Sequence, residues 1–199
     1  MNTIAVVYHS AHGHTGYIAG KIAEGAASES LATVSLLKAE ELIAAPEVLS
    51  RYDGLILGSP TYLGGVSAPF KALMDRTGGL WRQQKLKGKL AAGFTVSSLP
   101  SGDKQSTLQS MLVFCMQHGM IWVGNPVMPE QRAGVPCDEA ANRLGSWTGL
   151  MAQAGHGAAA DAFPPGDTRG AILFGRNFAQ TVARFTCHDP VASGNGATA

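Results

Sequence analysis

The sequence predicts an α/β fold: an open, doubly wound parallel sheet with helices on both faces. Three observations lead there. An apolar, β-branched run, Ile4-Ala5-Val6-Val7, passes directly into a polar turn and then into a helical pattern. A short, wholly apolar run, Leu55-Ile56-Leu57, is bounded by Asp53-Gly54 and Gly58-Ser59-Pro60, which suits a central parallel strand buried on both faces. Strand-like and helix-like patterns alternate about five times, and the handedness of such crossovers puts helices on both sides of the sheet.

In chain order, the first strand is followed by a helix over 14–28, with Tyr17, Ile18, Ile22, Ala23 and Ala26 at helical spacing. A second strand spans 31–37. Residues 38–50 carry mixed signals, with Pro46 placed to start a short helix at its first position. After the third strand, a helix over 69–76 is entered through Pro69, turns Phe70, Leu73 and Met74 inward and is ended by Gly78-Gly79. A fourth strand spans 89–96. Asp103 is placed to cap a helix with Leu108, Met111, Leu112, Cys115 and Met116 inward, stopping at Gly119. A fifth strand spans 120–123. Residues 125–146 form a long, weakly periodic loop of the kind that is usually functional or disordered. Residues 147–153 resume the strand, and a last helix runs over 167–185 with Asp167 as its cap. Residues 1–187 form one domain, and 188–199 form a small, polar, flexible tail.

With 199 residues, 45% hydrophobic and 15% charged, the chain holds one substantial core and is too short for two ordinary domains. A net charge of +1 without a Lys/Arg run argues against nucleic-acid or membrane-surface partners, and equally against the acidic face of an electron carrier. Cys115, Cys137 and Cys187 lack disulfide or zinc spacing, which fits a reducing cytoplasm. The N-terminal apolar run is too short to span a membrane and has no signal-peptide layout.

Ligands of such sheets bind beyond the carboxyl ends of the strands, where three loops rich in Gly, Ser, Thr and Pro would meet. The first, Tyr8-His9-Ser10-Ala11-His12-Gly13-His14-Thr15, opens into a helix whose first N–H groups lack intrahelical partners. Hydroxyls at Ser10 and Thr15, with Gly13 admitting close backbone approach, make it an anion cradle. It has no Lys or Arg, which suits a monophosphate rather than a triphosphate. The competing reading is an ordinary capped turn. The second loop, Gly58-Ser59-Pro60-Thr61-Tyr62-Leu63-Gly64-Gly65, places Tyr62 and Leu63 to cover a flat ring, unless Tyr62 is merely a surface aromatic. The third, Ser97-Ser98-Leu99-Pro100-Ser101-Gly102, offers hydroxyls and amides but no acid or base. A site with phosphate and ring features and no nucleophile points to a redox cofactor. Three histidines, His9, His12 and His14, lie along one turn, where imidazoles seldom converge, so no metal site is expected. Cys115, inward on its helix, reads as a small core residue.

Together with Thr77-Gly78-Gly79-Leu80-Trp81, Gly88-Lys89-Leu90-Ala91 and Gln117-His118-Gly119-Met120, the first two loops resemble the flavodoxin-like FMN-binding NAD(P)H:quinone oxidoreductases, the WrbA family, or a close NAD(P)H-dependent FMN reductase relative. The resemblance implies a flavodoxin-like five-stranded sheet of order 2-1-3-4-5. It implies an FMN phosphate held by Ser10, His12, Gly13, His14 and Thr15. The ring would lie between Pro60, Thr61, Tyr62, Leu63 and Gly64 on one side and Val96, Ser97, Ser98, Leu99 and Gly102 on the other. NADH or NADPH would donate hydride and a quinone-like small molecule would accept electrons. In that family a Trp matching Trp81 walls the substrate space, often across a subunit contact, so a homo-oligomer, dimer or tetramer, is implied. Trp81 and His118 are then the candidate catalytic residues; Trp81 also reads as closing a helix against the core, and His118 as a helix-terminal His. His12 matches an aromatic near the nicotinamide side. Two departures stand out: the third loop replaces a Gly/Thr-rich run, and Gln117 replaces the first His of a His-His pair. The alternative function is a non-enzymatic flavodoxin-type electron carrier for a protein partner.

Overall fold

The computed structural model describes residues 1–186. The expected tail, 188–199, and Cys187 lie outside the described residues. The chain forms β1 (Asn2–Tyr8), α1 (His14–Ala27), β2 (Ala32–Lys38), α2 (Ala39–Leu42), a 3-10 turn (Pro46–Arg51), β3 (Gly54–Tyr62), β4 (Gly65–Val66), α3 (Ala68–Arg76) and α4 (Gly78–Arg82). There follow β5 (Leu90–Ser97), α5 (Lys104–Gln117), β6 (Ile121–Trp122), a 3-10 turn (Glu130–Ala133), β7 (Leu150–Gln153) and α6 (Pro165–Thr186).

The sheet has seven strands rather than five. Its backbone order is β2-β1-β3-β5-β6, so the expected 2-1-3-4-5 arrangement holds. The two additional strands have separate origins. A short hairpin returns β4 antiparallel onto the end of β3. The fifth sheet position is shared by two strands in line: β6 pairs with Leu90 and Ala91 at the start of β5, and β7 pairs with residues 94–97 at its end. Residues 125–146 are thus inserted within one strand position, and β7 is the strand resumed.

Both faces of the sheet are covered, as its apolar runs require. In β1, Ile4 and Val6 enter one core while Ala5 and Val7 enter the other; in β3, Ile56 faces the first and Leu55 and Leu57 the second. The first core is closed by α1 and α6, which cross closely at Gly25 and Gly175, where a Cβ would run into the backbone of Ile172 or Ile22.

Several elements differ from the sequence-based expectation. Strand β3 does not end at Gly58-Ser59-Pro60 but continues to Tyr62, because Ser59 and Pro60 pair with Thr95 and Val96, and Thr61 and Tyr62 pair with β4. Gly78-Gly79 begins α4 instead of ending α3, which Thr77 closes by donating its hydroxyl to the Met74 carbonyl at 2.7 Å. Met116 is exposed, since α5 turns only Lys104, Thr107, Leu108, Met111 and Cys115 fully inward. Asp103 occupies the N-cap position of α5 in a left-handed conformation, with no side-chain cap bond. Asp167 is no cap at all: α6 starts at Pro165, and the Asp167 carboxylate is buried in an ion pair with Arg143 at 2.7 Å.

Candidate functional site

A cavity of about 520 Å³ opens at the carboxyl ends of β1, β3, β5 and β7. At one end stands the first loop. Gly13, at φ +88, is the N-cap of α1, and its carbonyl accepts the first helical N–H, that of Tyr17, at 2.8 Å. Ser10 Oγ accepts the amide of Gly16 at 3.0 Å, leaving the Ser10 hydroxyl proton free to donate into the cavity. The amides of His14 and Thr15 lie in the first helical turn and have no intrahelical acceptor. His9, in the same loop, is buried and paired with Glu40, so it serves the scaffold.

The second loop is a two-residue hairpin. Tyr62 pairs with Gly65, and the intervening Leu63 and Gly64 have φ +46 and +77, the signs a type I′ turn requires. Its base is pinned by the Ser67 amide donating to Ser59 Oγ at 2.9 Å, and by Thr61 Oγ1 lying 2.8 Å from both Thr95 Oγ1 and Thr107 Oγ1. Ser106 Oγ holds the Gly64 carbonyl. The third loop is fastened from beneath: the buried Lys104 ammonium donates to the carbonyls of Leu99 and Pro100. Burial lowers the Lys104 pKa to about 8, with nearby Asp167 opposing that shift.

Of the residues expected to bind a ligand, Ser10, His12, His14, Thr15, Pro60, Thr61, Tyr62, Val96, Ser97 and Ser98 line this one cavity. Gly13 shapes its cradle. Leu63, Gly64, Leu99 and Gly102 stand outside the lining; Leu63 and Leu99 point to solvent, and Gly102 supplies a positive φ where a Cβ would strike Ser97 Oγ. A fourth loop joins the wall, with Ala154, Gly155, His156, Gly157 and Ala158. It follows a strand and is rich in Gly, so it bears the same signature as the other three.

A family model for NADPH-dependent FMN reductases matches residues 38–133. An NAD(P)H dehydrogenase (quinone) of Archaeoglobus fulgidus is 38% identical over 158 residues, covering 67% of this chain and 82% of the relative. The chain belongs to the flavodoxin-like FMN-binding NAD(P)H:quinone oxidoreductase family. As a member it is an FMN-dependent oxidoreductase that uses NAD(P)H. Flavodoxin FldP of Pseudomonas aeruginosa is also similar, 33% identical over 180 residues, covering 90% of this chain and 96% of that protein. The solved structure of a flavodoxin, WrbA-like protein from Agrobacterium tumefaciens superposes with a TM-score of 0.69 at 31% identity, over 93% of this chain and 99% of that one.

The cavity suits the family's cofactor in size and in its sequence of chemistries. Its volume falls within the roughly 300–1,000 Å³ of small-molecule sites. Hydroxyls, amides and the α1 dipole gather at one end, Pro60, Tyr62 and Val96 at the other, and no carboxylate lines it. An anionic phosphate joined to a flat ring matches that order.

The two remaining family-implied residues lie elsewhere. Trp81, half exposed, and His118, 3% exposed, share a second cavity of about 460 Å³ with Met74, Thr77, Phe114 and Gln117, built on α3, α4 and α5. It shares no residue with the first. Because the Thr77 hydroxyl gives its proton to Met74, it accepts from His118 Nε2 at 2.9 Å, which leaves His118 Nδ1 an unprotonated, buried and unpartnered acceptor. Burial lowers the His118 pKa. Neither Trp81 nor His118 walls the strand-end cavity of this chain.

Proposed function

We propose that the protein passes two electrons from NADH or NADPH, through FMN, to a quinone-like small acceptor. The observation that carries this reading is the chemical asymmetry of the strand-end cavity: hydroxyls and first-turn amides of α1 stand at one end, and Pro60, Val96 and a 45% exposed Tyr62 at the other. Bound FMN supplies the redox chemistry by taking up hydride and releasing electrons. The chain's residues place and shield. Ser10, Thr15 and the first amides of α1 would hold the phosphate, Gly13 and His14 shape that end, and His12 would border the nicotinamide, as the family resemblance implies. Pro60, Thr61 and Val96 would support the ring, Ser97 and Ser98 would offer it polar contacts, and Tyr62 would stand beside the nicotinamide and the acceptor. Relatives named NAD(P)H dehydrogenase (quinone) support the acceptor class.

Trp81, half exposed, acts on this reading in the site of another copy with the buried His118 behind it, so we infer a homo-oligomer. The free thiols Cys115 and Cys137 fit a cytoplasmic setting. Among the described residues, no helix is long and apolar enough to cross a membrane.

A second reading, a one-electron carrier for a protein partner, is favoured by the near full-length similarity to a flavodoxin. Anaerobic stopped-flow separates the two. FMN-loaded protein mixed with NADH or NADPH should lose its visible flavin absorbance, and benzoquinone should restore it. Failure of both nicotinamides to bleach the flavin would leave the carrier reading standing and sink the enzymatic one.

A further inference from the structure

The loop 154–158 is held against the cradle from both ends. At its start, the Ala154 amide donates to the Ser97 carbonyl at 3.2 Å and Gln153 Nε2 donates to the Ser98 carbonyl at 3.0 Å, tying the loop to the third loop. The Gln153 amide in turn donates to Asp167, whose carboxylate is clamped by Arg143. At its end, His14 Nε2 donates to the Ala158 carbonyl at 3.1 Å. A Cβ on Gly13 would lie 2.6 Å from that of Ala160, so loop and cradle are in close contact. Beyond them Phe163 stacks on Tyr17 with ring centroids 5.6 Å apart and meets His14 edge-on.

Between these two anchors stands Gly155-His156-Gly157, lining the same cavity as Ser10 and Thr15. His156 is exposed, and among the described residues nothing hydrogen-bonds its imidazole. The cavity lining contains no Lys or Arg, and His14 has already committed its Nε2 proton to Ala158. An imidazole carries at least one N–H donor in either protonation state. We propose that residues 154–158 form a fourth wall of the cofactor site, with His156 donating a hydrogen bond to the phosphate and favouring the phosphorylated over the unphosphorylated flavin. This rests on the FMN reading of the cavity.

The test uses the full chain, stripped of flavin, as wild type, His156→Ala and His156→Gln. Dissociation constants for FMN and riboflavin are read from quenching of flavin fluorescence. His156→Ala should weaken FMN by about tenfold or more, as expected for a hydrogen bond to a charged group, and leave riboflavin within about twofold. His156→Gln, which keeps an N–H donor, should recover part of the loss. An unchanged FMN constant, or equal losses for both flavins, would overturn the assignment. A wild-type chain that binds neither flavin would instead bring down the cofactor reading. Because the side chain is exposed, melting temperatures of the three proteins should agree, so a binding loss is not an unfolding loss.

Discussion

The two cavities differ in what builds them. The strand-end cavity is framed by backbone: the register that pairs Ser59 with Thr95, Pro60 with Val96 and Ser97 with Gln153 sets where each loop leaves the sheet. The helical cavity is framed by side chains, with Thr77, Trp81, Phe114 and His118 meeting across α3, α4 and α5. In the first, buried polar groups are bound to one another, as in the Thr61, Thr95 and Thr107 cluster. In the second, His118 Nδ1 is buried without a partner. Backbone framing positions a cofactor within one chain; side-chain framing leaves a surface that can change without disturbing the sheet.

The largest expected effect breaks the first cavity's support. Asp167→Ala leaves Arg143 buried without its counter-ion and should cost about 3–5 kcal/mol in urea unfolding. Its loss should also loosen the Gln153 amide and weaken FMN binding. If the loss of stability came with no change in FMN affinity, the fourth loop would not belong to the site. Next come Ser10→Ala and Thr15→Val, each expected to weaken FMN by about 1.5–3 kcal/mol while sparing riboflavin, measured by fluorescence titration.

Titration separates the two regions by pH. His118 and Lys104 both have lowered pKa values, so in each case the unfolded chain holds the proton more tightly and stability rises with pH across the gap. For His118 the gap lies below the ordinary histidine value of 6.5, so stability is lost as pH falls through that range. For Lys104 it lies between about 8 and 10.5, where rising pH relieves the cost of a buried charge. In urea midpoints against pH, His118→Asn should flatten the acid limb only. Lys104→Met should remove a rising alkaline contribution, judged as its difference from wild type because the Cys115 thiol, pushed up by burial, contributes with opposite sign. The smallest effect sharpens the contrast: Trp81→Ala should leave FMN affinity within about 0.5 kcal/mol and alter only turnover with the acceptor. A large loss of FMN would place Trp81 at the cofactor after all.

The cradle was legible because its signals are local. A β-branched run, a Ser/Gly/Thr turn and a 3.6-residue period fall within one short stretch, and the structure returns β1 and α1 almost at the expected bounds. Strand β3 was legible only in its apolar part. Its continuation through Ser59-Pro60-Thr61-Tyr62 looks like a turn by composition, and becomes strand because β5 and β4 lie alongside to pair with it. Asp167 has the composition of a helix cap, yet its partner, Arg143, is brought to it from the inserted loop. His156 was passed over although the strand before it was expected, because its loop is drawn to the first and third loops by bonds to His14, Ser97 and Ser98 that join distant segments.

The sequence by itself therefore determined the layered α/β fold and the polar turn between β1 and α1, since apolar periodicity and turn chemistry act over a few residues and need no distant partner, while the cofactor followed from the family resemblance. Tertiary structure alone decided that β3 runs on through Ser59 to Tyr62, that a fourth loop joins the cavity wall, and that Trp81 and His118 sit apart from it. Those outcomes depend on which distant segments meet, and that is set by strand register and helix packing across the whole chain.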